Sequence, residues 1–356
     1  MNWNELFDLS LYDLKSDPCP IIESGMSAAE SWGRWSCEKE VALSIRRDVA
    51  GEDSVVVIIE LLGHVHPLKL KKQRVTVSHR GVVVADWDIS DYWYRLRGFI
   101  LPRSALLDDA PIDLHLSIPD AESPAQLGVN DDTRTLGIAI SRVWVASASE
   151  RPDLSARVAT LGTRFVGTES RKTWDHKHLS GFWNRFIKGP KVLDIGFSSY
   201  GDVRVVPIMD GAIGVDIDYP GYDGKRLPFE DFSQDAVYSS HCLEHISDPI
   251  GVIQDWYRVT KLGGHIIIAV PSRDLFERRR RPPSAWNVEH LRMYTCASLL
   301  AEIEAALEPN SFKVRYMAEN DDLFDYTCEP GSPPYGNYEI TVVIEKIRTP
   351  DWRIID

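Results

Sequence analysis

The sequence predicts two domains of different class, an all-β sandwich over residues 1–150 and a doubly wound α/β domain over 189–356, joined by a helical connector over 151–188. Three observations carry this. Between about residues 38 and 146 the apolar residues fall in short alternating runs separated by turn signals, with no clear helix among them. From residue 191 onward, runs of four to eight mostly β-branched residues alternate with a helical stretch, as in a parallel sheet. A chain of 356 residues is also long for one core and natural for two.

In the first domain the predicted strands include 40–45, 54–60, 73–78, 81–86, 112–117 and 136–141. Their period-2 alternation marks strands with one face on a core. The segment 147–152 (SASERP) breaks the pattern, and 171–188, with Trp174, Phe182, Trp183 and Phe186, reads as the helical connector. Trp32, Trp35, Trp87, Tyr92, Trp93 and Tyr94 are candidates to stack on sugar faces, against the plainer expectation that they fill the core or a domain interface.

In the second domain the runs 191–196 (KVLDIG) and 212–218 (AIGVDID) each close on an acid, and 235–240 and 263–270 follow with a helix over about 249–261 between them. Parallel sheets of this kind bind ligands beyond the carboxyl ends of their strands, so Asp194, Gly196, Asp216 and His241 are expected to converge. A glycine after a buried strand admits close approach of a ligand to the backbone. A carboxylate after the next strand suits a ribose, since it accepts from two neighbouring hydroxyls. The turn 196–201 (GFSSYG) has glycine only at its ends, Gly196 and Gly201, and lacks the lysine of a triphosphate loop. An adenosine ligand without phosphates fits it best.

The words VLDIG (192–196), GVD (214–216), LPFED (227–231), SQDAV (233–237), LEHISDP (243–249) and LGG (262–264) stand in one order. In them the chain resembles the class I S-adenosylmethionine-dependent methyltransferases, small-domain subgroup, over about residues 189–347. The resemblance implies a Rossmann-like fold whose closing hairpin strand is 336–344. It implies S-adenosyl-L-methionine as cofactor, with Asp194 and Gly196 at the methionine portion, Ser198 a further cofactor contact in the turn, Asp216 at the ribose hydroxyls, and Asp223 with Gly224 at the adenine. The short interval between Asp216 and Leu227 implies that the usual third strand and its preceding helix are trimmed.

A methyl acceptor hydroxyl needs positioning and a base, and histidine is the natural base near neutral pH. His241, at the mouth of a strand, is the leading candidate and His290 the second, with loop orientation the alternative role for either. His245 and His265 read as structural. The run Glu277–Arg281 (ERRRR) offers an anion clamp or a solvated loop. His241, Glu244 and His245 have the H-x-x-E-H spacing of a zinc site. Because that word straddles a strand end, no metal is expected.

The first domain resembles, more loosely, a β-sandwich module attached to bacterial glycosyltransferases and polysaccharide-pathway enzymes, through ESWGRWS (30–36), SPAQLG (123–128) and DTRTLG (132–137). Together the resemblances imply an O-methyltransferase for a sugar, nucleotide-sugar or glycan acceptor, with a glycosyltransferase as a further candidate partner. The alternatives are a weak or inactive methyltransferase-fold glycan-binding or assembly module, and a methyltransferase for a small non-sugar acceptor. A net charge of −13 disfavours nucleic acid as a partner. No run approaches the length of a spanning helix, and the first residues lack a basic, apolar leader. The five scattered cysteines fit reduced thiols in the cytoplasm. A homo-oligomer is compatible with the sequence.

Overall fold

The computed structural model describes residues 10–46, 53–107, 110–198, 203–329 and 331–349, so Gly201 and the opening residues lie outside it. The contacts divide the chain into two units: one spans the residues up to Arg164 together with 178–180, and the other 165–177 together with 181 onward.

The first unit contains β1 (Ser10–Asp13), β2 (Ile22–Ser24), β3 (Arg34–Trp35), β4 (Glu40–Ile45), β5 (Val55–Gly63), β6 (Gln73–His79), β7 (Val82–Ile89), β8 (Arg95–Leu101), β9 (Ile112–Ser117) and β10 (Ile138–Ser147). They form two sheets, one ordered β1-β10-β5-β8 with β3 also on β10, the other β2-β4-β9-β6-β7. The ladders are antiparallel. Val57, Ile59, Leu61 and Ile140 from the first sheet share one core with Val41, Leu43, Val77 and Leu114 from the second. Val56 and Ile58, on the opposite face of β5, pack with Leu154 and Val158 of α1 (Pro152–Val158). This is why β5 is buried along its whole length instead of alternating.

The expected connector is therefore not a separate element. Its α1 helix belongs to the first unit. Most of α2 (Thr168–Leu179) and all of α3 (Phe182–Phe186) belong to the second, where Trp174, Phe182, Trp183 and Phe186 pack on Val192, Ala236, Tyr238 and Ile267. The apolar faces of the two sheets divide the connector between them.

The second unit has one six-stranded sheet, built from β11 (Val192–Ile195), β12 (Ile213–Val215), β13 (Gln234–Ser240), β14 (Thr260–Pro271), β15 (Phe312–Asn320) and β16 (Glu339–Lys346), with α4 (Pro249–Val259) and α5 (Cys296–Ala306) between strands. The order is β12-β11-β13-β14-β16-β15. The first four are parallel, and β16 runs antiparallel to both β14 and β15. Between β12 and β13, residues 216–233 contain no helix or strand, which leaves β12 at the sheet edge.

Both faces of this sheet are covered. Leu193, Ile195, Ile266 and Ile268 face Val252, Ile253 and Trp256 of α4 and Leu299 and Ile303 of α5. Val192, Ala236, Ile267 and Val343 face the aromatic group around Trp174. The Asp248 carboxylate caps α4 by accepting from the Gly251 amide at 2.9 Å, with Pro249 at the first helical position. Asp248→Ala is expected to cost about 1 kcal/mol in denaturant unfolding.

Register fixes where the site must lie. Ile195 pairs with Val215 and Ser239, Ser240 pairs with Ala269, and Pro271 pairs with Glu339. Gly196, Asp216, His241 and Glu339 therefore stand along one edge, at the carboxyl ends of the parallel strands.

Candidate active site

The cofactor corner is built by β11 and β12. Gly196 has φ +71°, and its amide donates to the Val215 carbonyl at 2.8 Å. A Cβ at this position would stand 2.7 Å from Sγ and 2.8 Å from Cβ of Cys242, so both conformation and packing require glycine. Asp216 sits beside it. Its carboxylate accepts from the Ser198 amide at 3.2 Å and the Ile217 amide at 2.8 Å, and is part-exposed at the sheet edge. The chain then turns back through Tyr219 and Tyr222 to Asp223 and Gly224, where a Cβ on Gly224 would lie 3.1 Å from Ile217 Cδ1. Asp223 is exposed, and the Arg226 and Lys225 amides that it accepts hold its carboxyl below the usual range. Gly196, Ser198, Asp216 and the 223–224 turn thus share one corner.

Asp194 is different. It is buried, and its carboxylate accepts from the Ile208 amide at 2.7 Å while Trp174 Nε1 donates to the Ile208 carbonyl. It ties the segment before β12 down behind the turn instead of facing open space. The LPFED word has a similar local reason. Asp255 of α4 accepts from the Leu227 amide, and Arg258 donates to the Leu227 and Phe229 carbonyls.

His241 stands at the end of β13 with φ +49° and its amide on the Ala269 carbonyl. Its Nδ1 is 3.8 Å from Glu244 Oε1 and its Nε2 4.0 Å from Glu339 Oε2, with the Tyr338 ring edge-on at 6.2 Å. Burial pushes its pKa down to about 4 against the pull of Glu169 and Glu339, so the ring is neutral at pH 7. Around it, Lys172 donates to Glu169 at 2.8 Å and to Tyr338 Oη at 2.6 Å, and Lys177 donates to Glu339 at 2.5 Å. Sequence reasoning missed this ring of charge. Its members come from α2 and the start of β16, more than 160 residues apart, and the one available signal was a glutamate at the head of the mostly apolar run 340–344.

His290 is buried and lies in a neighbouring cluster. Its Nδ1 is 2.5 Å from Glu277 Oε1, its Nε2 is 4.0 Å from Glu244 Oε1, and its ring is 4.8 Å from that of His245. Glu244 is fully buried, and burial raises its carboxyl to about 8. His265 packs within its strand, edge-on to Phe186. The arginine run divides. Glu277 turns inward at the end of a single π-helical turn, Arg273–Glu277, and Arg278 donates to Cys328 Sγ and the Glu329 carbonyl. Arg279, Arg280 and Arg281 are exposed. Of the two alternatives for this run, an anion clamp or a solvated loop, the clamp would have one of its four arginines occupied in holding the 328–332 loop.

Residues 209–268, from just before β12 through most of β14, match a family model described as Methyltransferase domain. The demethylmenaquinone methyltransferase of Renibacterium salmoninarum is 34% identical over 106 residues, covering 25% of this chain and 45% of that protein. A Mycolicibacterium smegmatis protein named as a probable S-adenosylmethionine-dependent methyltransferase is 28% identical over 134 residues, covering 33% and 51%. A solved S-adenosylmethionine-dependent methyltransferase from Aquifex aeolicus aligns at 14% identity and a TM-score of 0.31, over 47% of this chain and 87% of that one. The chain spans between a third and about half of the length of its curated relatives. Within the second unit, residues 209–268 are thus similar to a methyltransferase domain, and one of the curated relatives is named as S-adenosylmethionine-dependent. No helix among the described residues is long and apolar enough to cross a membrane.

Proposed function

We propose that the chain is a cytoplasmic S-adenosylmethionine-dependent O-methyltransferase whose acceptor is a hydroxyl of a sugar, nucleotide sugar or glycan. The observation that carries this is the shared sheet edge, where the Gly196–Asp216 corner and the His241 ring stand side by side in register. The bound cofactor supplies an electrophilic methyl group on a sulfonium. Asp216 receives the ribose hydroxyls, the Gly196 and Ser198 backbone meets the methionine portion, and Asp223 with Gly224 borders the adenine. Asp194 keeps the turn in place from behind. His241 accepts the proton of the acceptor hydroxyl as the new carbon–oxygen bond forms. Glu169, Lys172, Tyr338 and Glu339 give the acceptor side a polar character that suits a hydroxyl-rich molecule. The first unit is proposed to hold the glycan or to dock a partner glycosyltransferase, in line with its sequence resemblance.

A second reading, a small non-sugar acceptor, is favoured by the relative named for demethylmenaquinone. Turnover on quinone-like phenols and none on saccharides would select it.

The test begins with calorimetric titration of the protein with S-adenosylmethionine and then with S-adenosylhomocysteine. Saturable binding of both is expected. Asp216→Ala should weaken it by about 10- to 100-fold, the loss of one or two charge-assisted hydrogen bonds. Folded protein that binds neither would point to a non-catalytic assembly module, and unchanged affinity in Asp216→Ala would overturn the cofactor mapping.

A further inference from the structure

The histidine–glutamate cluster next to His241 has the construction of a metal site. Glu244 and His245 lie on the turn after β13, and His290 on the loop before α5. One ligand atom from each of the three lies within 4.8 Å of the others. His245 Nε2 and His290 Nε2 stand 3.9 Å and 4.0 Å from the same oxygen, Glu244 Oε1. Tetrahedral donors at about 2.0–2.1 Å from zinc are roughly 3.3 Å apart, so each histidine needs to close on Glu244 by well under about 1 Å.

Two further observations point to a ligand. Glu244 has no exposed surface, and neither of its carboxylate oxygens has a hydrogen-bond partner. Leaving a buried carboxylate unsatisfied is costly, and a bound cation is one of the few ways to satisfy it. In addition, the far nitrogen of each histidine is already held. His290 Nδ1 faces the buried Glu277 carboxylate at 2.5 Å, and His245 Nδ1 faces the Glu289 carbonyl at 3.2 Å. Both acceptors select the tautomer with the proton on Nδ1, which leaves the Nε2 lone pairs directed at Glu244. The two segments are also stapled together. The Leu291 amide donates to the Glu244 carbonyl at 2.9 Å, and Arg292 Nη1 donates to the Leu243 carbonyl at 3.1 Å.

We propose that Glu244, His245 and His290 form a binding site for one divalent transition metal ion, with Glu277 and the Glu289 carbonyl orienting the two imidazoles. Two imidazoles and a carboxylate suit zinc, manganese, cobalt or iron better than calcium or magnesium, which prefer all-oxygen sites. Three protein ligands leave a position open, as in catalytic metal sites. His241 lies beside the cluster, with its Nδ1 3.8 Å from Glu244 Oε1. A metal there can take the acceptor oxygen and favour its deprotonation beside the candidate base. That role rests on the proposed function, but metal binding itself does not. The inference departs from the metal-free expectation of the sequence, which had no means of bringing His290 to the H-x-x-E-H word.

The experiment uses whole protein stripped with a chelator. Zinc is titrated calorimetrically against a competing chelator, and cobalt by its visible ligand-field absorption. One equivalent of each is expected to bind. His245→Gln and His290→Gln should weaken zinc by at least about 100-fold, and Glu277→Gln by about 10- to 100-fold, while S-adenosylmethionine affinity is retained. Glu277→Gln leaves all three ligands in place, so it remains informative where a ligand variant fails to fold. Folded wild type that takes up neither metal would overturn the site, as would uptake that none of the variants alters. Because cofactor binding is read on the same samples, loss of the metal inference is separable from loss of the methyltransferase reading.

Discussion

His241→Ala is expected to lower kcat for methyl transfer by about 10²- to 10⁴-fold, the range for removing a general base, without changing affinity for S-adenosylmethionine. The two effects separate because the imidazole faces Glu339 and Tyr338, while the cofactor corner is made by Gly196 and Asp216. Alanine at 241 also keeps the backbone amide on the Ala269 carbonyl, so the end of β13 should hold. Single-turnover rates with a saccharide acceptor, alongside cofactor calorimetry, give the two numbers. A rate within a few-fold of wild type would make His241 a positioning residue, and a matching loss of cofactor affinity would mean that the corner and the histidine are not independent.

Gly196→Ala is expected to destabilise the second unit by about 2–5 kcal/mol and to abolish cofactor binding at ordinary concentrations. The left-handed φ costs an alanine about 1–2 kcal/mol, and forcing a methyl group against Cys242 adds about 1–3. The Cys242 thiol can rotate away, but its Cβ, 2.8 Å from the new atom, is fixed by the backbone. The double variant Gly196→Ala with Cys242→Gly should therefore recover the steric part and keep the φ penalty, a non-additivity readable in denaturant unfolding. Equal losses in the single and double variants would show that the turn can shift to admit the methyl group.

The strands β11 and β14 were legible because each holds an apolar run buried on both faces, a pattern that needs no knowledge of the partner strand. The expected runs 235–240 and 263–270 correspond to Gln234–Ser240 and Thr260–Pro271. Asp216 and Gly196 were legible as neighbours because motif words report position along the sheet edge. They do not report side-chain direction, which is why Asp194, in the same word, turns out to hold the Ile208 amide. Glu277 was read only as the first letter of a basic run, and its burial against His290 depends on one π-helical turn with no sequence signature of its own. Lys172, Lys177 and Glu339 were hidden for another reason. Buried charge is the exception that patterning rules are built to ignore, and it becomes visible only when distant segments meet.

The left-handed backbone of His241 has an evolutionary reading. A non-glycine residue at φ +49° holds the chain about 1–2 kcal/mol above what glycine would allow there. A library selected for thermal stability alone should enrich glycine at position 241, whereas the same library selected for turnover should retain histidine. The conflict between those two selections would mark this residue as one where the lineage has accepted a weaker fold in return for work.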